Sequence, residues 1–304
     1  MKIRYSDFWD GFDPEKFLLT HIIRKTSGKY PEIIKNPDEM VDVEIFSSFP
    51  FSSSMDKLLG RVKFVMSQNA KSQYVSKAAY GFRESYPERA RTKIWYTGEN
   101  RRPPTYPFDL VLSFEKTDHA KNHLYFPYWM TRINWGYSQS DYEIFPTAEE
   151  LALKRRLPQK EKSVCVFSSN LEPNRLRIID ATEKVLEVSK FGSAYRRRVK
   201  SKIETSADYS LQICNENDLY PGYVTEKLQE SWIAGNVPIW SGILPANHCF
   251  NMNALIDVTA LTSDQITARI AAIDLEELVY RLNEPLHSKQ VSILTVEQEF
   301  QKLL

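Results

Sequence analysis

Glycine is scarce in this 304-residue chain, and its ten glycines never fall in a Gly-x-Gly-x-x-Gly or Gly-x-x-x-x-Gly-Lys-Ser/Thr spacing. A dehydrogenase built on the dinucleotide fingerprint and a P-loop nucleotidase are therefore excluded at the level of motif. Cysteine is scarcer still: Cys165, Cys214 and Cys249 stand far apart, in or beside apolar runs. Such spacing makes neither a disulfide framework nor a zinc site, and buried thiols are expected. No apolar run approaches the roughly 18 residues of a membrane helix. The opening MKIRYSDFWDGF has no signal-peptide core, and no Asn-x-Ser/Thr sequon occurs. Together these absences point to a reduced, cytoplasmic setting. Neither sign of charge is in excess, with 40 Lys and Arg against 39 Asp and Glu, so nothing global calls for nucleic acid.

A hydrophobic content of 42% with 26% charged residues is that of a folded soluble protein, and the length favours two domains over one. Residues 2–5 read as a first strand. Asp13 and Pro14 then cap and open a helix that carries Phe17, Leu18, His21 and Ile22 at helical spacing. Further strands are expected over residues 41–46, 64–66, 92–97, 110–114 and 124–126, and this alternation implies a parallel α/β sheet. Residues 147–156 form a candidate helix opened by a Thr147/Glu150 capping box. The polar segment LPQKEK, residues 157–162, reads as a linker before a second sheet that begins at residues 163–167. The resulting domains are 1–157 and 163–304. A closing helix over 295–304, with Thr295 and Gln298 at capping-box spacing, is free to pack back on the first domain.

The most informative stretch is residues 208–242, DYSLQICNENDLYPGYVTEKLQESWIAGNVPIWSG. A short apolar strand ends at Cys214, and a loop rich in Asn, Asp, Pro and Gly follows. A helix then starts near Thr225, its expected N-cap, with Leu228, Trp232 and Ile233 on one face before the next strand. Glu226 and Lys227 place a carboxylate and an ammonium within one turn of that start. The carboxylate suits two ribose hydroxyls and the ammonium a phosphate, so the pair describes a nucleotide held by sugar and pyrophosphate. A dipole-complementing Glu and a solvated Lys are the plainer alternative.

The string ENDLYPGYVTEKLQESWIAGNVPIWSG resembles the signature of the α-1,3/4-fucosyltransferases, glycosyltransferase family ten: a Glu-Asn pair, a short loop, Tyr-Val-Thr-Glu-Lys, a helix, then Ala-Gly-x-Val-Pro. The resemblance extends to YTGEN, residues 96–100, whose Glu99 corresponds to the family's catalytic base. It also reaches Ser169, Asn170 and Arg175, which match positions that contact the donor. It implies a GT-B fold, with two Rossmann-like domains facing across a cleft, and the soluble bacterial members of the family. The implied reaction is inverting transfer of L-fucose from GDP-fucose to the 3- or 4-hydroxyl of an N-acetylglucosamine-containing glycan such as N-acetyllactosamine. In it Glu99 takes the acceptor proton, while Arg175 and Lys227 meet the diphosphate with N–H donors from the helix start at Thr225. Glu226 takes the ribose, and Asn217 and Tyr223 line the diphosphate and fucose side. No Asp-x-Asp stands near this loop, and Asp42-Val43-Glu44 falls inside an expected strand. Protein cations are therefore expected to neutralise the leaving group, with no metal ligands and no obligatory cofactor, leaving room for divalent metal stimulation. Bacterial surface polysaccharide assembly is the expected setting, with peripheral contact at the inner membrane through a lipid-linked acceptor.

Other features carry competing readings. The aromatics from Tyr5 to Trp9 and from Tyr125 to Trp135 suit either sugar stacking or core packing, with packing favoured for any single ring. His119 and His123 have an i, i+4 metal spacing, but Asp118 and Lys121 beside them favour a solvated turn. The basic run within residues 191–202 reads as a solvated helix face, or as a surface for an anionic acceptor carrier or lipid. A GT-B enzyme using a different nucleotide sugar and a non-catalytic carbohydrate-binding protein are the rival functions.

Overall fold

The computed structural model describes residues 1–9, 11–49, 86–115, 122–137 and 145–304. The expected strand at 64–66 and the positions Asp10, Asp118, His119 and Lys121 lie outside them. Two compact units emerge, Met1–Pro127 with Ile293–Leu304, and Tyr128–Ser292.

Among the described residues, the first unit holds a six-stranded parallel sheet in the order β2-β1-β3-β4-β5-β6. Its strands are β1 (Lys2–Ser6), β2 (Glu32–Ile33), β3 (Val41–Phe46), β4 (Ala90–Tyr96), β5 (Leu110–Ser113) and β6 (His123–Tyr125). β3 and β5 are buried along almost their whole length, as a parallel sheet covered on both faces requires. Helix α1 (Leu18–Ser27) begins one turn later than the Asp13-Pro14 signal implies. Asp13 caps a short 3₁₀ turn, Pro14–Lys16, and the chain turns extended at Phe17 before the α-helix starts. Glu44, in the expected strand, is fully enclosed and receives Arg89 at 2.8 Å, Ser6 at 2.6 Å and Arg4 at 3.3 Å, so it serves the sheet. His123 sits on β6, not in a turn, with its ring Nε2 2.7 Å from the Ser113 hydroxyl. Tyr5, Phe8, Phe12 and Phe17 pack ring on ring at centroid distances from 4.1 to 6.0 Å, while Trp9 stays 36% exposed. Core packing accounts for most of these rings.

Among the described residues, the second unit holds a five-stranded parallel sheet in the order β11-β10-β9-β7-β8. Its strands are β7 (Val164–Phe167), β8 (Val188–Phe191), β9 (Leu211–Asn215), β10 (Val237–Ser241) and β11 (Ile256–Asp257). The helices are α2 (Pro173–Glu183), α3 (Lys202–Ser206), α4 (Lys227–Ile233), α5 (Ser263–Ala271) and α6 (Leu275–Asn283). Strand residues Val164, Val166, Leu211, Ile213, Val237 and Ile239 share one apolar core with Ile178 and Ile179 of α2, Ile266 and Ile270 of α5, and Leu278 and Leu282 of α6. Cys165, Cys214 and Cys249 are buried thiols, and burial pushes Cys165 and Cys249 up to about 12, which leaves them inert as nucleophiles. The closing helix α7 (Leu294–Leu303) packs on α1, with Lys25 bonded to Glu297 at 2.7 Å. Its N-cap is Ile293, without a side-chain cap, so Thr295 does not play that part.

The segment 157–162, expected as a linker, is a strap tied into the second unit, Tyr128–Ser292. The Thr147/Glu150 capping box forms, with bonds of 3.1 and 2.7 Å, but only one 3₁₀ turn, Glu150–Ala152, follows before the chain extends at Leu153. Beyond it, cations reach helix ends. Arg155 donates to the Leu282 carbonyl at 2.9 Å and lies 3.9 Å over the Trp232 ring. Lys160 donates to the carbonyls of Ala207, Tyr209 and Gly235 at 2.7, 2.9 and 2.8 Å, and Lys162 to those of Ile270 and Ile273 at 2.8 and 2.7 Å. Unsatisfied carbonyls at helix C-termini attract such groups, so a segment polar in composition is held fast by its charges.

His287 is wholly enclosed, edge-on to Trp129 and Phe250 at 5.4 and 5.2 Å, and among the described residues neither ring nitrogen has a hydrogen-bond partner. Burial holds it neutral, pulling its pKa from 6.5 down to about 4. The folded value is depressed, so as pH falls from 6.5 to 4 the unfolded chain binds a proton that the native ring refuses. Stability contributed by the neutral ring is intact above 6.5 and is lost across that window, by on the order of 3 kcal/mol. Urea unfolding at neutral and mildly acidic pH should show a smaller acid loss in His287→Phe than in the native chain. Equal losses in the two proteins would contradict this reading.

Candidate active site

Open α/β sheets bind ligands outside the carboxyl ends of their strands, where the strand order reverses. In the second sheet β7 is followed by β8 on one side and by β9 on the other, so the reversal lies between β7 and β9. Ser169 and Asn170 follow β7 as exposed loop residues, and Glu216 and Asn217 follow β9. Arg175, on the first turn of α2, joins the two: its Nε donates to Asn215 Oδ1 at 2.9 Å, its Nη2 to Asn217 Oδ1 at 2.9 Å, and its Nη1 to the Asn170 carbonyl. Arg175 is only 3% exposed. Three of the five guanidinium N–H groups are spent on this clamp, leaving two. The loop after β8 closes against the same place. Gly192 has φ +107°, and a Cβ there would stand 2.1 Å from the Ser168 carbonyl oxygen, so only glycine fits.

The loop from β9 to α4 brings Tyr223, Thr225, Glu226 and Lys227 to this edge, with Tyr223 buried at 2% exposure. Thr225 is not the N-cap. α4 begins at Lys227 behind Glu226, and the Thr225 amide and hydroxyl both donate to Glu216, at 2.8 Å and at 2.9 to 3.1 Å. The Thr225 hydroxyl oxygen accepts Lys227 and not a helix N–H, and its amide is spent on Glu216, so Thr225 has no amide to offer an incoming phosphate. Lys227 Nζ stands 2.6 Å from Glu216 and 2.7 Å from the Thr225 hydroxyl, its side chain 20% exposed. Desolvation opposes its charge, but Glu216 and Glu226 outweigh that and raise its pKa. Glu226 lies near Lys202 of α3, at 3.4 Å. Its burial favours the neutral acid, yet Lys227, Lys202 and Arg132 hold it down to about 2, so it stays a carboxylate acceptor.

Glu216 is the residue that reading for ligand groups alone passes over, although the Glu-Asn pair of the signature contains it. Lys202 is the other: the basic run is no helical face. It is a 3₁₀ turn, Ser193–Tyr195, then Arg196 at φ 54°, Arg197 over the Phe191 ring at 4.3 Å, and only then α3 with Lys202 between Glu226 and Glu230.

Glu99 belongs to the first unit, on the loop past the carboxyl end of β4, and is exposed. Thr97, itself fully buried, fixes that loop: its hydroxyl accepts the Glu99 amide at 3.0 Å and donates to the Glu99 carbonyl at 3.1 Å. The described residues contain no cluster of three His, Cys, Asp or Glu side chains able to hold a metal ion, and no helix among them is long and apolar enough to cross a membrane.

Two family models match the chain. "Glycosyltransferase family 10 (fucosyltransferase) C-term" covers residues 157–282, and "Alpha-(1,3)-fucosyltransferase FucT N-terminal domain" covers 43–132. The chain belongs to glycosyltransferase family 10. Among relatives of this family 10 chain, the alpha-(1,3)-fucosyltransferase FucT of Helicobacter pylori is 23% identical over 85% of this chain and 54% of its own length. The human 4-galactosyl-N-acetylglucosaminide 3-alpha-L-fucosyltransferase 9 is 33% identical over 28% of this chain and 25% of its own. The family 10 chain thus spans about half the length of the first of these and matches a quarter of the second. A crystal structure of an alpha1,3-fucosyltransferase with GDP-fucose superposes with a TM-score of 0.67 at 19% identity, covering 99% of this chain and 89% of that one. A crystal structure of an alpha1,3-fucosyltransferase with GDP gives 0.67 at 20%. The shared architecture is the GT-B type, with two parallel-sheet α/β domains.

Proposed function

We propose that this chain is an α-1,3/4-fucosyltransferase that moves L-fucose from GDP-fucose, with inversion, to the 3- or 4-hydroxyl of an N-acetylglucosamine-containing glycan. The observation that carries the proposal is the convergence of Arg175, Asn217, Glu226 and Lys227 at the β7/β9 edge of the second sheet. Two cations and one ionised carboxylate at a strand-order reversal fit a nucleoside diphosphate better than a bare sugar. Lys227 meets a phosphate oxygen as a point charge, and Arg175 offers its two remaining N–H groups while its clamp holds Asn217 in place. Glu226 accepts ribose hydroxyls. Ser169, Asn170 and Tyr223 belong to the same loops, and Thr225 acts through Glu216, not on the ligand. Glu99 takes the proton from the acceptor hydroxyl. Cytoplasmic fucosylation of a bacterial, Lewis-type surface polysaccharide on a lipid carrier is the setting this reading fits.

Because the leaving diphosphate has protein cations to meet its charge, an obligatory divalent metal is not needed. Transfer from GDP-fucose to N-acetyllactosamine, followed by GDP release, should therefore survive EDTA at most of its untreated rate. Activity that disappears in the chelator and returns with manganese or magnesium would contradict the metal-independent mechanism.

A further inference from the structure

Glu216 is wholly enclosed, directly after β9, and takes no part in holding the nucleotide in the reading above. Its carboxylate collects the Thr225 amide, the Thr225 hydroxyl and the Lys227 ammonium. The Thr225 hydroxyl donates to Glu216 while accepting from Lys227 at 2.7 Å, so the three side chains form a closed triangle. Two of the three ammonium hydrogens are fixed inside it, leaving one on a side chain that stays 20% exposed.

We propose that Glu216 is a positioning residue of the donor site: through Thr225 and directly, it sets the Lys227 ammonium in place and keeps it charged before a nucleoside diphosphate arrives. The identity of the ligand rests on the function proposed above; the held ammonium does not. A lysine has a long flexible stem, and holding it in the unliganded protein removes an ordering cost from the binding step. Glu216 also decides whether the charge persists. Lys227 faces Glu216 from the end of β9, Glu226 from its own turn, Arg175 from α2 and Lys202 from α3. Without Glu216, one carboxylate would be left against two other cations and the desolvation of the site. Lys227 would then lose its proton more readily than an ordinary lysine.

Competitive acetylation with acetic anhydride across a neutral-to-alkaline pH series, read on the Lys227 peptide by mass spectrometry, tests this in the unliganded full chain. Native Lys227 should titrate above the ordinary lysine value of 10.5, and in Glu216→Gln below it. Calorimetry with GDP over the same series should be flat for the native protein. It should be weaker by roughly tenfold or more in Glu216→Gln at neutral pH, and weaker still as pH rises. In Glu216→Gln/Lys227→Arg the pH dependence should vanish, because a guanidinium does not deprotonate there. A merely structural role for Glu216 predicts an equal loss at every pH, and that result, or an unchanged Lys227 titration in Glu216→Gln, overturns the proposal. Should Glu216→Gln fail to fold, the native labelling alone decides, since Lys227 titrating at or below 10.5 overturns it equally. If Lys227 follows Glu216 as expected while native protein binds no GDP, the positioning stands and the donor assignment falls.

Discussion

Glu99→Gln should lower transfer to N-acetyllactosamine by about 10²- to 10⁴-fold while leaving the affinity for GDP-fucose unchanged. The amide has the shape of the carboxylate but cannot accept the acceptor proton, so the loss falls on the chemical step. The Thr97 contacts to the residue 99 amide and carbonyl are to backbone atoms, so the substitution leaves those two bonds in place. Donor binding should survive as well, since the proposed diphosphate contacts all lie in the second unit. Steady-state kinetics beside calorimetry separate the two effects: kcat falls and donor Kd holds. A variant retaining more than a tenth of native turnover would remove Glu99 from the role of base.

Lys227→Ala should weaken GDP binding by roughly 10- to 150-fold, the loss of one charge-assisted hydrogen bond worth about 1.5–3 kcal/mol. The substitution has a second consequence. It strands Glu216, whose side chain is wholly enclosed and whose charge is met directly by Lys227. Removing one partner of an enclosed pair typically costs about 3–5 kcal/mol of stability, reduced here because Lys227 itself keeps contact with water. Urea unfolding of Lys227→Ala should therefore show a loss alongside the weakened binding. Lys227→Arg is the control: it keeps the charge, and should recover most of the stability and part of the affinity. Native-like GDP affinity in Lys227→Ala would mean that the ammonium does not touch the phosphate.

What the sequence made legible follows physical range. β3 was readable to the residue from its apolar pattern, and the strand–helix alternation announced both parallel sheets, because burial on two faces writes itself into consecutive residues. A signature names Lys227 and Arg175, and the fold brings both to the same edge of the second sheet. Glu216 carries no mark of its role, since its importance comes from Thr225 and Lys227, nine and eleven residues on, folding back over it. Thr225 misled for the same reason. A Thr before a helix caps it only when its hydroxyl oxygen accepts a helix N–H, and here that oxygen accepts Lys227. The strap failed differently. Lys160 and Lys162 look like a solvated linker because composition records charge, while their partners are backbone carbonyls between 47 and 111 residues away in sequence, well outside any local window. The basic run after β8 hid Lys202 among exposed arginines, and only the fold shows which one meets Glu226.

The proposed donor site lies wholly in the second unit, which should therefore hold GDP-fucose. Calorimetric titration of the purified native chain with GDP-fucose, GDP-mannose and UDP-galactose in parallel tests it without any knowledge of the acceptor. Saturable binding of GDP-fucose is expected, with weaker binding of GDP-mannose and none of UDP-galactose at the same concentrations. Equal binding of all three, or binding of UDP-galactose alone, would contradict it.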